Sequence, residues 1–81
     1  MRIEVLHFAQ IRELVGTPRE YLDLPPGSTV SDGWEALLER HPDLRALGLM
    51  PLPTLDHTYG SWEAVLNEGA ILSFLTPMGG G

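Results

Sequence analysis

The sequence predicts an α+β domain in which a mixed sheet holds one main helix against one face. Three observations point there. Two strand-like segments, residues 2–8 and 19–24, open the chain and are joined by a short stretch carrying Gly16 and Pro18. A single stripe at helical spacing follows: Val30, Trp34, Leu37, Leu38 and His41. Near the end, residues 70–76 are almost wholly apolar, as in a strand covered on both faces.

Each element has its own justification. Residues 2–8 alternate and then turn largely apolar. Ala9, Ile11 and Leu14 suit a short helical turn ending before Gly16. In the second strand Glu20, Leu22 and Leu24 share one face, while Tyr21 and Asp23 share the other. The two strands form a wide antiparallel hairpin, stopped by Pro25-Pro26-Gly27. Thr29 and Ser31 are both candidate N-caps for the helix, with Asp32 and Glu35 in a solvated first turn where acids suit the dipole. Gly33 inside this helix costs about 1 kcal/mol against alanine, so the helix must lean on packing. Pro42 ends it, and residues 43–49 form a further short helix capped by Asp43. Met50-Pro51-Leu52-Pro53 reads as a connector. Residues 54–59 read as one strand, with Leu55, His57 and Tyr59 on one face. Gly60-Ser61 and Asn67-Glu68-Gly69 are turns on either side of the short segment 62–66. The last strand lies centrally, beside the first and parallel to it. That order is the ubiquitin-like β-grasp; a ferredoxin-like domain needs a second substantial helix that residues 62–66 are too short to supply.

Eighty-one residues make one domain, read as a globule over residues 1–78 and a flexible tail over 79–81. Eleven acids against five bases, all arginine, leave a net charge of −6. Such a surface repels phosphate backbones, which excludes nucleic acid as the expected partner and favours a basic protein surface. With no lysine there is no Schiff base and no P-loop lysine. With no cysteine there is no disulfide, no thiolate zinc site and no cysteine nucleophile. His7, His41 and His57 lack the close spacing of a zinc site, so no metal is expected. The serines have no nucleophile-elbow context. No apolar run approaches the roughly 18 residues of a membrane span. Glu4 stands where a signal peptide would begin its apolar stretch. A cytoplasmic protein is expected.

Gly79, Gly80 and Gly81 follow directly on the most apolar strand. Glycine loses the most entropy on ordering, so three in a row make a thin leash rather than an element. A tail without β-carbons can thread a narrow channel, and a terminal carboxylate can be activated as an acyl-adenylate. The other reading of the same residues is an inert disordered end.

The segment from His7 to Gly16, His-Phe-Ala-Gln-Ile-Arg-Glu-Leu-Val-Gly, resembles the Phe-Ala-x-x-Arg-Glu-x-x-Gly opening of the molybdopterin synthase small subunits, a branch of the ubiquitin-like MoaD/ThiS sulfur carriers. Gly27-Ser28-Thr29-Val30, Leu66-Asn67-Glu68-Gly69 and the run from Phe74 to Gly81 resemble the family's helix start, turn and ending. The chain departs from the family at Leu55-Asp56, where Val-Asn is usual, and in the proline-rich residues 49–53. It departs again at Thr76, where the ending has proline, and in its third glycine.

The resemblance implies a carrier with no catalysis of its own and no bound cofactor. A ubiquitin-activating-like adenylyltransferase would consume ATP to adenylate Gly81, a sulfur donor would convert it to a thiocarboxylate, and the tail would deliver sulfur to a pyranopterin precursor within the large subunit. Gly79 and Gly80 would supply slenderness. Phe8, Tyr59 and Leu75 match positions of an apolar patch against the large subunit, giving a hetero-oligomer. Carriers serving thiamin or tRNA thiolation, a ubiquitin-like protein modifier, and a non-carrier interaction module are the alternatives. Trp34 is read as core, Trp62 as packing under the last loop, and Arg12-Glu13 as a local ion pair or loop anchor.

Overall fold

The computed structural model describes residues 1–48 and 50–77; the glycines at 79–81 expected to form the tail lie outside the described residues, as do Leu49 and Met78. Five strands form one sheet in the order β2-β1-β5-β3-β4: β1 is Arg2–Leu6, β2 Arg19–Asp23, β3 Leu52–Leu55, β4 Thr58–Tyr59 and β5 Ile71–Leu75. β1 and β2 are antiparallel, and β5 runs parallel to β1 in the centre of the sheet. Helix α1 (Ala9–Val15) and α2 (Val30–Arg40) complete the regular structure with a 3-10 helix, Pro42–Leu47. This is the β-grasp architecture the sequence predicts.

Strand alternation decides what the sheet buries. Ile3 and Val5 of β1, Leu22 of β2 and Leu72 and Phe74 of β5 face α2, and all are buried. They meet Val30, Trp34, Leu37 and Leu38, the predicted stripe, which is buried as well. Phe74 sits between the two tryptophans, with ring centroids 4.9 Å from Trp34 and 5.7 Å from Trp62. Burying each large apolar side chain contributes roughly 2 kcal/mol, which offsets the modest helix propensity of α2. Gly33 is where the helix comes closest to the sheet: a Cβ there would stand 2.8 Å from Leu72 Cδ1. The glycine is thus set by helix–sheet distance.

Several local expectations are corrected. Thr29 alone is the N-cap of α2: its hydroxyl accepts from Asp32 N at 3.3 Å while Asp32 Oδ2 accepts from Thr29 N at 2.9 Å, a closed capping box. Ser31 lies one step inside the helix, its N–H directed to Trp62 O at 2.9 Å, so it caps nothing. The 3-10 helix starts from His41 with Pro42 at its first position, which leaves Asp43 inside the first turn. Arg12 and Glu13 are exposed, and among the described residues neither has an ion-pair partner.

The largest correction concerns residues 50–59. Leu52 and Pro53 are strand, not connector, and the expected single strand folds back at Asp56-His57. Both turn residues have left-handed φ, 50° and 70°, and Leu55 pairs with Thr58 across them, a two-residue hairpin loop. Asp56 suits this conformation and is held to β5, its N–H reaching Ile71 O at 2.8 Å and its Oδ1 accepting from Ile71 N at 2.9 Å. Pro53 is tolerated because its carbonyl accepts from Gly60 N at 3.1 Å, so its missing donor falls on the β4 side, where only two residues pair.

Candidate functional site

The sheet face turned away from α2 has no element of the described residues over it. Register gives its rows. Leu6, Ser73, Thr54 and Tyr59 lie level across β1, β5, β3 and β4. One row on, Leu75 is opposite Leu52, and the parallel register carries Phe8, still extended at φ −133° and ψ 156°, alongside Leu75. The hairpin at Asp56-His57 is what puts Tyr59 here. As one continuous strand it would share a face with Leu55, which packs on the core; the turn moves it to the open face, where it is 73% exposed.

All three predicted interface residues therefore come to one face. Phe8 and Leu52 are each about half exposed, at 49% and 47%, and Leu75 is half-buried between them. Sequence reasoning missed Leu52, because flanking Pro51 and Pro53 read as a break. The row Phe8–Leu75–Leu52 stands at the end of β5 from which residues 76 and 77 lead towards the C-terminus. At the centre, Thr54 Oγ1 and Ser73 Oγ are 2.8 Å apart and satisfy one another. The β1–β2 side of the face is polar: Arg19 lies 3.3 Å from Glu4 Oε2, and the Arg2 guanidinium stacks 4.1 Å over the Tyr21 ring. The face is thus an apolar half beside a charged half. Exposed apolar surface of this kind is a candidate for a protein contact.

A second grouping was not legible in the sequence. Glu20, at a core-facing position of β2, gathers His7 from the end of β1 with Arg40 and His41 from the end of α2. Glu20 Oε1 accepts from Arg40 at 2.8 Å; Oε2 accepts from His7 Nε2 at 2.6 Å and from His41 Nε2 at 2.8 Å. An ionised carboxylate only accepts, so in these contacts each imidazole is the donor through Nε2–H. The His7 side chain is 1% exposed and that of Glu20 11%. Burial pushes the Glu20 carboxyl up, but the hydrogen bonds from Arg40, His7 and His41 together outweigh it and hold the group below its ordinary value. Among the described residues no His, Asp and Glu grouping is arranged to hold a metal ion, and His57 lies apart on the hairpin turn. No helix among them is long and apolar enough to cross a membrane. Gly79, Gly80 and Gly81, the predicted reactive tail, lie outside the described residues.

Sheet order, the single main helix and the open face define a ubiquitin-like β-grasp protein. Known structures agree on the fold. SAMP1 from Haloferax volcanii superposes with a TM-score of 0.90 at 21% identity, covering all of both chains. A chain in the complex of subunits 1 and 2 of molybdopterin-converting factor from Helicobacter pylori superposes at 0.69, also with 21% identity and full coverage of both. Sequence takes the assignment further. The ThiS family profile matches residues 5–81. The molybdopterin synthase sulfur carrier subunit of Arabidopsis thaliana is 31% identical over 81 residues, covering 100% of this chain and 84% of the relative. That of Drosophila yakuba is 34% identical over 89 residues, covering 100% and 92%. The chain belongs to the ThiS family of ubiquitin-like proteins.

Proposed function

We propose that this chain is the sulfur-carrier subunit of a molybdopterin synthase. The observation that carries the reading is similarity along the whole chain to two relatives bearing that name. The open face supports it, since a carrier needs a docking surface next to the point where its tail leaves the globule.

In this reading residues 79–81 are a threading tail and the globule before them a handle. The Gly81 carboxylate attacks the α-phosphorus of ATP on an activating enzyme, and pyrophosphate leaves. Adenylation turns a poor electrophile into one with a good leaving group. A persulfide displaces AMP, and a thiol then cleaves the sulfur–sulfur bond to leave a thiocarboxylate. That sulfur is a soft nucleophile at neutral pH, suited to attack on the pyranopterin precursor. Gly79 and Gly80 let the tail pass a channel that a β-carbon would block. Phe8, Leu75, Leu52 and Tyr59 dock on the large subunit in a cytoplasmic hetero-oligomer. Acids, bases and lysines come from the partners, which accords with the absence of lysine and cysteine here.

The test is reconstitution. The chain carrying a chemically made C-terminal thiocarboxylate, mixed with a molybdopterin synthase large subunit and the cyclic precursor, should yield the dithiolene product. Sulfur delivered only to a thiazole-forming or tRNA-modifying enzyme, or the chain recovered only as a conjugate on protein lysines, would assign it to another branch of the same chemistry.

A further inference from the structure

The corner between β1 and α1 is a costly piece of backbone. Phe8 is still extended, and Ala9 then takes φ 47°, the left-handed region that disfavours a residue with a β-carbon. The helix that follows has seven residues and buries only Ile11, too little to hold itself. Its first link, Arg12 N–H to Phe8 O, is 3.2 Å long, and Phe8 offers no side-chain cap. Something outside α1 must hold the corner.

The residue before Phe8 is the fixed point. His7 donates its backbone N–H to Pro18 O at 2.9 Å, and its buried ring is bound to Glu20 at 2.6 Å. Glu20 is in turn anchored to the end of α2 through Arg40 and His41, and Arg40 also reaches Tyr21 O at 2.8 Å. Successive residues of an extended chain point to opposite faces, so the direction of the His7 ring sets that of Phe8. We propose that the Glu20 cluster is a positioning device for Phe8: it locks the inward ring of His7 and thereby holds Phe8 on the docking face against the strain at Ala9. The inference rests on the docking role proposed for that face. It makes Glu20, His7 and His41 positioning residues for partner binding although none of them lies on the open face.

Two readouts on the full chain test it, using Glu20→Gln and, as a milder variant at the rim of the cluster, His41→Gln. In the free protein, hydrogen exchange at the Arg12 and Gly16 amides should accelerate in Glu20→Gln about tenfold more than at Glu4, whose amide bonds to Ala70 O within the sheet and reports the global loss of stability. With a purified molybdopterin synthase large subunit, Glu20→Gln should weaken binding about tenfold when Phe8 is present and less than about twofold in a Phe8→Ala background. His41→Gln should shift both readouts in the same direction by less. Equal acceleration at all these amides, or an equal loss of binding in both backgrounds, would show a general structural role and overturn the proposal. Failure of the unsubstituted chain to bind the large subunit overturns the docking reading instead, and the exchange data then decide whether the corner is held as described.

Discussion

Thr54 and Ser73 share a 2.8 Å hydrogen bond in the middle of a sheet face that nothing among the described residues covers, and both are nearly buried, at 9% and 6% exposure. Leu6 lies level with Ser73 and Tyr59 level with Thr54 in the same row across the sheet. Removing one hydroxyl leaves the other desolvated without a partner. Thr54→Val or Ser73→Ala alone should each cost about 1–2 kcal/mol, while the double variant should cost less than the sum, because no orphan remains. Urea unfolding of the four proteins measures this coupling directly.

The Glu20 cluster makes a pH prediction. The groups facing the carboxyl are His7 from the end of β1 and Arg40 and His41 from the end of α2; Arg19 and Tyr21, its neighbours in β2, turn to the other face and meet Glu4. The group is held below its ordinary value in the folded protein. Its contribution is therefore fully present above the ordinary carboxylate value and is lost as pH falls through the lowered one. Glu20→Gln should cost roughly 2 kcal/mol at neutral pH, and its stability should fall less steeply on acidification than that of the unsubstituted chain. Denaturant midpoints followed from neutral pH into the acid limb check both slopes.

Gly33 tests how tightly α2 sits on the sheet. Alanine gains about 1 kcal/mol of helix propensity but drives its β-carbon to 2.8 Å from the buried Leu72 Cδ1. Overpacking of this kind costs typically 1–3 kcal/mol. Gly33→Ala should therefore come out less stable by about 1 kcal/mol, and Gly33→Val by more, as read from thermal or urea unfolding.

Leu52 is the member of the proposed docking face that the sequence conceals. At 47% exposure it contributes little to the core, so Leu52→Asp should leave unfolding nearly unchanged. On the proposed interface the same substitution places an unpaired charge beside Leu75 and should weaken binding to the large subunit about tenfold or more, roughly 1.4 kcal/mol. Titration calorimetry and a melting curve on one sample separate the two effects.

What the chain reveals by inspection is its local physics. The alternation through Ile3 and Val5, the helix stripe from Val30 to Leu38 and the apolar β5 each declare themselves within a few residues, and together they fix the fold. What stays hidden depends on distant partners. Asp56-His57 contains no glycine, and the turn is stabilised by Ile71, fifteen residues on. Pro53 looks like a break until its carbonyl is seen to be the side that pairs. Glu20 and His7 occupy core-facing positions that pattern reasoning reserves for apolar residues, and they satisfy one another only across thirteen residues of sequence. Phe8, Tyr59 and Leu75 were legible through the family resemblance, but Leu52 was hidden by the prolines on either side of it, and the hairpin that turns Tyr59 to the open face was hidden too.

The central claim is that Gly81 accepts and hands on one sulfur atom. Intact-mass measurement after incubation with the activating enzyme, ATP and a sulfur donor tests it most directly. The account predicts the gain of a single oxygen-for-sulfur exchange in the full chain and none in a chain lacking Gly81, with both forms showing the same unfolding curve. An unchanged mass under conditions that load a known carrier, or a sulfur gain that survives deletion of Gly81, would contradict it.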